Sequence, residues 1–176
     1  MNIQNLFANT NSQILLKFLS DFPNKSFIEK EISDKIKLSR GGINSSLKIL
    51  RKTDLIKTEK RGRTFFYSIN IENPIIRAWK IFNNIIKVAP LVKTITKNSE
   101  KIILFGSMAE GRNIKESDID LLIITNSPEM VIKKISANKK IQLVIRNPLE
   151  FVEMKSKDPI FFDEVNKGII LWTKTT

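Results

Sequence analysis

The sequence contains no cysteine and no histidine. Without cysteine it can form no disulfide, zinc–thiolate site or cysteine nucleophile, and this favours an intracellular, cytoplasmic protein. Without histidine it has no histidine general base and no Ser-His-Asp triad. Any bound metal must therefore be held by oxygen ligands, which points to Mg²⁺ or Mn²⁺ rather than zinc.

Long apolar runs are also missing. No basic segment followed by an apolar core opens the sequence, and runs such as residues 121–124 are far too short to span a bilayer, so we expect no membrane partner.

Positive charge is in excess: 30 Lys and Arg face 18 Asp and Glu, for a net charge of +12. The excess lies mainly in the first hundred residues and favours polyanionic partners. A Lys-, Asn- and Ile-rich composition of the kind an AT-rich genome encodes would explain the same charge without such a partner.

Three segments near the N-terminus have apolar residues at helical spacing. They are residues 12–19, 27–36 and 39 to about 53, and Ser39 is suited to cap the third. Two β-prone runs, residues 55–60 and 64–69, then flank Arg61-Gly62-Arg63, which predicts a hairpin with a basic turn. Three helices followed by a basic hairpin resemble the winged helix-turn-helix regulators of archaea and bacteria.

That resemblance implies a DNA partner. The third helix would enter the major groove, and polar or cationic side chains are expected on its outer face: Arg40, Asn44, Ser45, Lys48, Arg51 and Lys52. Arg61 and Arg63 would reach a neighbouring backbone or minor groove. Such regulators often bind two half-sites as dimers, so a homodimer is one candidate partner, although the sequence does not fix the oligomeric state. The alternative is that these charges are only a solvated surface.

Residues 101–125 carry the most informative motif. An apolar run ends at Gly106-Ser107, where a sharp turn, backbone N–H groups and a hydroxyl suit phosphate oxygens. Asp118 and Asp120 stand at the head of a second apolar run. Because side chains alternate along a strand, both carboxylates project to one face, where a bound Mg²⁺ would offset their repulsion. Arg112 and Lys115 in the intervening loop are further candidate phosphate ligands. An ordinary turn and a solvated strand entrance would explain the same residues.

Gly106-Ser107, ten intervening residues and Asp118-x-Asp120 between apolar strands resemble the signature of the polymerase β-type nucleotidyltransferase superfamily, especially its minimal members. The resemblance implies that Gly106 and Ser107 contact the phosphates of a nucleoside triphosphate, and that Asp118 and Asp120 are catalytic magnesium ligands. Active members usually carry a third carboxylate on a later strand. Here residues 140–145 match that strand and Gln142 occupies the position, and glutamine cannot act as a general base. We interpret Glu150 and Glu153 as first-turn acids of the next helix.

We therefore predict an α/β (α+β) protein with three parts. Residues 1–73 form the winged helix, residues 74–99 a helical connector in which Pro90 causes a kink or split, and residues 100–176 a mixed sheet with flanking helices. The apolar spacing of the connector predicts that its inward side chains are Ile76, Trp79, Phe82, Ile86 and Val88. The expected reaction is magnesium-dependent transfer of a nucleoside monophosphate to an acceptor hydroxyl. In one alternative the second domain has lost its chemistry and serves a transcription regulator in nucleotide sensing or dimerisation. In another it is an antitoxin-like transferase that modifies a partner protein.

Overall fold

The computed structural model describes residues 10–135 and 140–175. The chain divides into two compact units, Met1–Lys80 and Ile81–Thr176. The helices within the described residues are α1 (Asn11–Ser20), α2 (Glu29–Ile36), α3 (Arg40–Lys52), α4 (Pro74–Ile95), α5 (Gly106–Ala109), α6 (Pro128–Ile135), α7 (Pro148–Lys157) and α8 (Pro159–Asn166). The strands are β1 (Ile56–Arg61), β2 (Thr64–Ile69), β3 (Lys101–Phe105), β4 (Ile119–Ile124), β5 (Ile141–Arg146) and β6 (Ile169–Thr173).

Local sequence signals start the helices of the first unit. Thr10 and Gln13 form a reciprocal capping box at the start of α1, in which each side chain accepts the other residue's backbone N–H. Ser39 caps α3 as predicted, since its hydroxyl oxygen accepts the N–H of Gly42 at 3.2 Å. The apolar stripe of α3, which includes Ile43 and Leu47, is buried against α1 and α2.

The predicted hairpin is present. Strands β1 and β2 pair antiparallel from Ile56 opposite Ile69 to Arg61 opposite Thr64. Gly62 in the turn has a φ of +60°, a conformation that glycine adopts without steric cost. Phe27 and Tyr67 exchange two backbone hydrogen bonds of 2.9 Å, which attach the hairpin to the segment before α2. From residue 10 onward, the first unit therefore contains three helices, the two-stranded hairpin and the start of α4.

Helix α4 spans 22 residues and continues through Pro90, so the split considered there is not observed. Its predicted inward residues are only partly correct. Ile76 and Val88 are buried, but Ile86 is partly accessible and Phe82 is 39% exposed. Residues of α4 before Phe82 pack in the core of the first unit, and residues after it pack in the core of the second unit. Phe82 belongs to neither core, so a single helical periodicity applied to the whole helix predicts its burial wrongly. In the described ranges no helix, α4 included, is long and apolar enough to cross a membrane.

The second unit is built on a mixed sheet with the strand order β5-β4-β3-β6. Strands β4 and β5 are parallel, whereas β3 pairs antiparallel with both β4 and β6. Helix α6 and the later part of α4 pack against the sheet side chains of one face, and α7 and α8 pack against those of the other face. This confirms the predicted mixed sheet with flanking helices. The antiparallel pairing of β3 and β4 also brings the end of β3 next to the start of β4.

Candidate functional site

Strand pairing assembles the candidate site. Phe105, the last residue of β3, lies opposite Asp120 near the head of β4. The parallel neighbour β5 places Gln142 beside Asp120. Gly106 follows Phe105 directly, and Asp118 is the residue immediately before β4. Eleven residues separate Gly106 from Asp118 in the sequence. The turn glycine and the two acids nevertheless meet where the end of β3 pairs with the start of β4.

Gly106 makes room for the carboxylate of Asp120. Its φ is +64°, in the left-handed region. A Cβ added at this position would lie 2.5 Å from Oδ2 of Asp120, closer than real Cβ contacts allow. The sequence predicted a glycine that lets a phosphate approach the backbone. The geometry adds a second reason for glycine, because the carboxylate itself occupies the space beside it.

Asp120 sits in surroundings that disfavour its charge. Burial is the main cause that raises the pKa of Asp120, and the neighbouring charges of Asp118 and Glu164 raise it further. Glu164 lies on α8, which is anchored by buried Val165 and by an edge-on contact between the Phe161 and Phe105 rings at 5.6 Å. Sequence reasoning missed Glu164, because no local pattern indicates that an acid on a distant helix influences this strand.

Gln142 is part of the site. Its side-chain amide donates to Oδ2 of Asp118 at 3.0 Å. An amide that donates this bond neutralises no charge and accepts no proton. Glu150 instead forms a capping box with Asn147, and Glu153 pairs with Lys157 at 2.6 Å within the same helix. Glu150 is therefore the first-turn acid interpreted from the sequence, whereas Glu153 lies beyond the first turn and that part of the interpretation is wrong.

The loop between the turn and the acids folds back on itself. The carbonyl of Ser107 accepts the backbone N–H groups of Arg112 at 2.9 Å and Asn113 at 3.2 Å. Arg112 forms an ion pair with Glu110, and its side chain is largely exposed, as is Lys115. The phosphate roles of Arg112 and Lys115 stay predictions.

Asn84 fixes this loop to α4, and sequence reasoning missed it. The residue is 6% exposed, and its side-chain amide donates to the carbonyl of Met108 and to the side-chain oxygen of Asn113, both at 2.8 Å. Buried polar side chains are nearly always hydrogen-bonded. The available signal was a pair of adjacent amides, Asn83 and Asn84, in a mostly apolar helical stretch, and it does not show which of the two is buried or what its partner is.

A family model described as polymerase beta, nucleotidyltransferase matches residues 85–176, slightly more than half of the chain. The chain belongs to this nucleotidyltransferase family. Among solved structures, the chain is similar to a candidate nucleotidyltransferase from Sulfolobus solfataricus, with 20% sequence identity and a TM-score of 0.36. That similarity covers 54% of this chain and 88% of the other. A comparison with curated proteins finds no match.

The nucleotidyltransferase family typically uses a divalent metal, and the residues present fit one. Within residues 10–135 and 140–175, no group of three or more Asp, Glu, His or Cys is placed to hold a metal. Two carboxylates nevertheless suffice for magnesium, which commonly takes one or two from protein and completes its shell with phosphate and water oxygens. The raised pKa of Asp120 beside a second acid is the situation that a bound cation relieves. Asp118 and Asp120 are therefore the side chains that would hold it.

The first unit of this family member presents the predicted polar side chains on its surface. Those on α3 are all exposed: Arg40, Asn44, Ser45, Lys48, Arg51 and Lys52. Two of the predicted contact residues are already engaged. Asn44 donates to Glu29 at 2.8 Å, and Arg61 donates two bonds to Glu59 at 2.8 and 2.7 Å. Arg63 is exposed in the hairpin turn.

Proposed function

We propose that residues 100–176 bind a nucleoside triphosphate with Mg²⁺ or Mn²⁺ and transfer its nucleoside monophosphate to an acceptor hydroxyl. The observation that carries this proposal is that Asp118, Asp120 and the Gly106 turn lie together where the end of β3 meets the start of β4. Membership of the nucleotidyltransferase family supports it.

Each side chain has a task in this reaction. The backbone N–H groups of Gly106 and Ser107 and the Ser107 hydroxyl donate to phosphate oxygens, and Arg112 and Lys115 supply positive charge. The acceptor oxygen forms a bond to the α-phosphorus, the bond from that phosphorus to the bridging oxygen breaks, and pyrophosphate leaves. When bound, a divalent metal offsets the charge on the phosphate oxygens.

Gln142 favours a second candidate function. The proton of the acceptor hydroxyl needs a base, and Gln142 occupies the position beside Asp120 without being able to accept it. Transfer would then depend on water or on the acceptor's own chemistry and be slow. In this second function the unit binds the metal–nucleotide complex as a sensor or dimerisation module.

For the first unit we propose a winged helix that binds DNA, formed by residues 1–73 and followed by a connector of residues 74–99. The three helices, the basic hairpin and the exposed cations of α3 support this proposal. In this arrangement α3 contacts base edges in the major groove, and the hairpin contacts a neighbouring backbone or minor groove.

Labelled transfer tests the nucleotidyltransferase proposal. The protein is incubated with each α-labelled nucleoside triphosphate, Mg²⁺ and candidate acceptors that include RNA, small hydroxyl compounds and protein. We expect label transfer, and its loss when Asp118→Asn and Asp120→Asn are combined. Glu116→Gln is the control, because it removes an exposed acid from the same loop.

Two outcomes separate the candidate functions. Metal-dependent nucleotide binding without label transfer would favour the sensor function over the transferase. Nucleotide binding that is unchanged in the double variant would contradict the proposed site for both functions.

Salt dependence tests DNA binding. Each phosphate contact that is lost flattens the dependence of affinity on salt concentration. We expect Arg61→Ala with Arg63→Ala to weaken duplex binding and to flatten this slope. Lys155→Ala with Lys157→Ala removes two exposed charges from α7 and should leave it unchanged. An equal slope in wild type and the hairpin variant would count against contact through the hairpin.

A further inference from the structure

The hairpin carries two adjacent phenylalanines in different environments. Phe65 lies opposite Lys60 in the strand register, and Phe66 lies opposite Glu59. Since side chains alternate along a strand, Phe65 and Phe66 belong to opposite faces of the hairpin. Each face therefore has its own aromatic ring with a cation close to it.

The ring of Phe66 is already covered. The guanidinium of Arg61 lies 4.7 Å from its centroid. That guanidinium is held in place by two hydrogen bonds to Glu59. Another flat group could stack on this side of Phe66 only by displacing an arginine that is bound at three points.

The ring of Phe65 is open by comparison. Phe65 is 43% exposed, and the ammonium of Lys60 lies 5.8 Å from its centroid. A single exposed apolar side chain is ordinary on a protein surface. Phe65 differs because it combines an exposed ring, a neighbouring ammonium and a position beside the Gly62-Arg63 turn of a basic chain.

These features suit one kind of ligand. Proteins that bind single-stranded nucleic acid stack bases on aromatic rings and place cations along the phosphate backbone. If a base stacked on the exposed part of Phe65, its phosphate would be attracted electrostatically by the positive charges of Lys60 and Arg63. A paired base inside a duplex offers no free face to such a ring.

We propose that Phe65 and Lys60 form a stacking site for an unpaired nucleobase of a nucleic-acid strand. This deepens the proposed function of the first unit, on which it rests: the hairpin binds single-stranded segments or frayed ends, in addition to the duplex contact assigned to α3. Stacking needs only the face of a base, so the site accepts DNA and RNA strands.

The test uses the full chain and short oligonucleotides that contain the fluorescent base 2-aminopurine. The arms are single-stranded DNA, RNA of the same sequence, and a blunt DNA duplex, and binding is followed by anisotropy and by quenching. We expect quenching in both single strands. Stacking energies per base predict that Phe65→Ala weakens their binding by about 5- to 150-fold. Blunt-duplex binding should change less than about twofold.

Two further variants isolate the ring. Phe65→Leu keeps an apolar side chain but removes the aromatic face, so it should also abolish quenching. Phe66→Leu is the matched control on the covered face and should leave quenching intact. A circular dichroism melt of each variant confirms that the first unit is folded.

Single-strand affinity and quenching that are unchanged in Phe65→Ala and Phe65→Leu would overturn the stacking site. If those variants and wild type still bind duplex with a salt dependence that the hairpin arginines control, DNA binding by the first unit would stand alone. Absence of binding in every arm would overturn both proposals.

Discussion

Substitution of Gly106 by alanine tests the geometry of the site most sharply. The added Cβ meets two separate obstacles. The left-handed backbone, with a φ of +64°, costs a residue that carries a Cβ about 1–2 kcal/mol. The carboxylate oxygen of Asp120 lies 2.5 Å from the new carbon, so this side chain must turn away from the glycine, and a displaced side-chain torsion costs about 0.5–1.5 kcal/mol. We expect Gly106→Ala to lower the free energy of unfolding of the second unit by about 1.5–3.5 kcal/mol.

A double-mutant cycle separates the two terms. In an Asp120→Ala background the carboxylate is gone, and the nearest remaining atom, the Cβ at position 120, lies 3.5 Å away in ordinary contact. There Gly106→Ala should cost only the backbone term of about 1–2 kcal/mol. Gly62→Ala is the matched control, because it has a φ of +60° and nothing within 4 Å of its added Cβ.

Urea unfolding, followed by a probe in each unit, measures these differences. The coupling between positions 106 and 120 should be about 0.5–1.5 kcal/mol. If Gly106→Ala costs the same in both backgrounds, the carboxylate does not lie against the turn and the assembly of the site is refuted.

Three further predictions concern charge and polar satisfaction. Burial and acidic neighbours raise the pKa of Asp120, so its ionised form is disfavoured in the folded state. Asp120→Asn should therefore raise the melting temperature in EDTA at pH 7. This gain should shrink towards about pH 3, where the carboxyl is protonated in both the folded and the unfolded state. A gain that is equal at both pH values would contradict this cause. Asn84→Ala removes a buried donor to the loop and should cost about 1–3 kcal/mol in urea unfolding, whereas exposed Asn126→Ala should cost little. Glu59→Gln removes a negative charge and releases Arg61, so anisotropy should report several-fold tighter duplex binding; weaker binding would show that the ion pair holds the arginine in its binding position.

The predictable part of the site depends on local signals. Local patterns predicted that Gly106-Ser107 ends an apolar strand and that Asp118-x-Asp120 begins another, and the resemblance to the nucleotidyltransferase signature predicted that the two motifs form one site. The hairpin and the Ser39 cap are local in the same sense, and the structure has both where they were predicted. These features were accessible because each depends on neighbours within a few residues in the sequence.

The unpredicted part depends on contacts across the fold. Asn84 reaches the loop from α4, and Glu164 influences Asp120 from α8. No residue close to either in sequence indicates these partners. The hydrogen bond from Gln142 to Asp118 is similar, since the position of Gln142 was expected from a family resemblance but its donor role was not. Such contacts follow from packing, which periodicity alone does not fix.

Local reasoning also failed where one element serves two cores. Phe82 was placed inside by the apolar pattern of α4 but is 39% exposed. The pattern of one helix was extended through a point where its packing environment changes. The sequence contains the helix but not the position of that change.

Metal-dependent nucleotide binding tests the central claim most directly. Wild type, the Asp118→Asn plus Asp120→Asn variant and the Glu116→Gln control are titrated with a non-hydrolysable nucleoside triphosphate analogue, with and without Mn²⁺, and bound Mn²⁺ is followed by electron paramagnetic resonance. We predict that wild type and control bind Mn²⁺ and nucleotide together, and that the double variant loses this coupling. Equal Mn²⁺-dependent binding in all three proteins would contradict the assignment of Asp118 and Asp120.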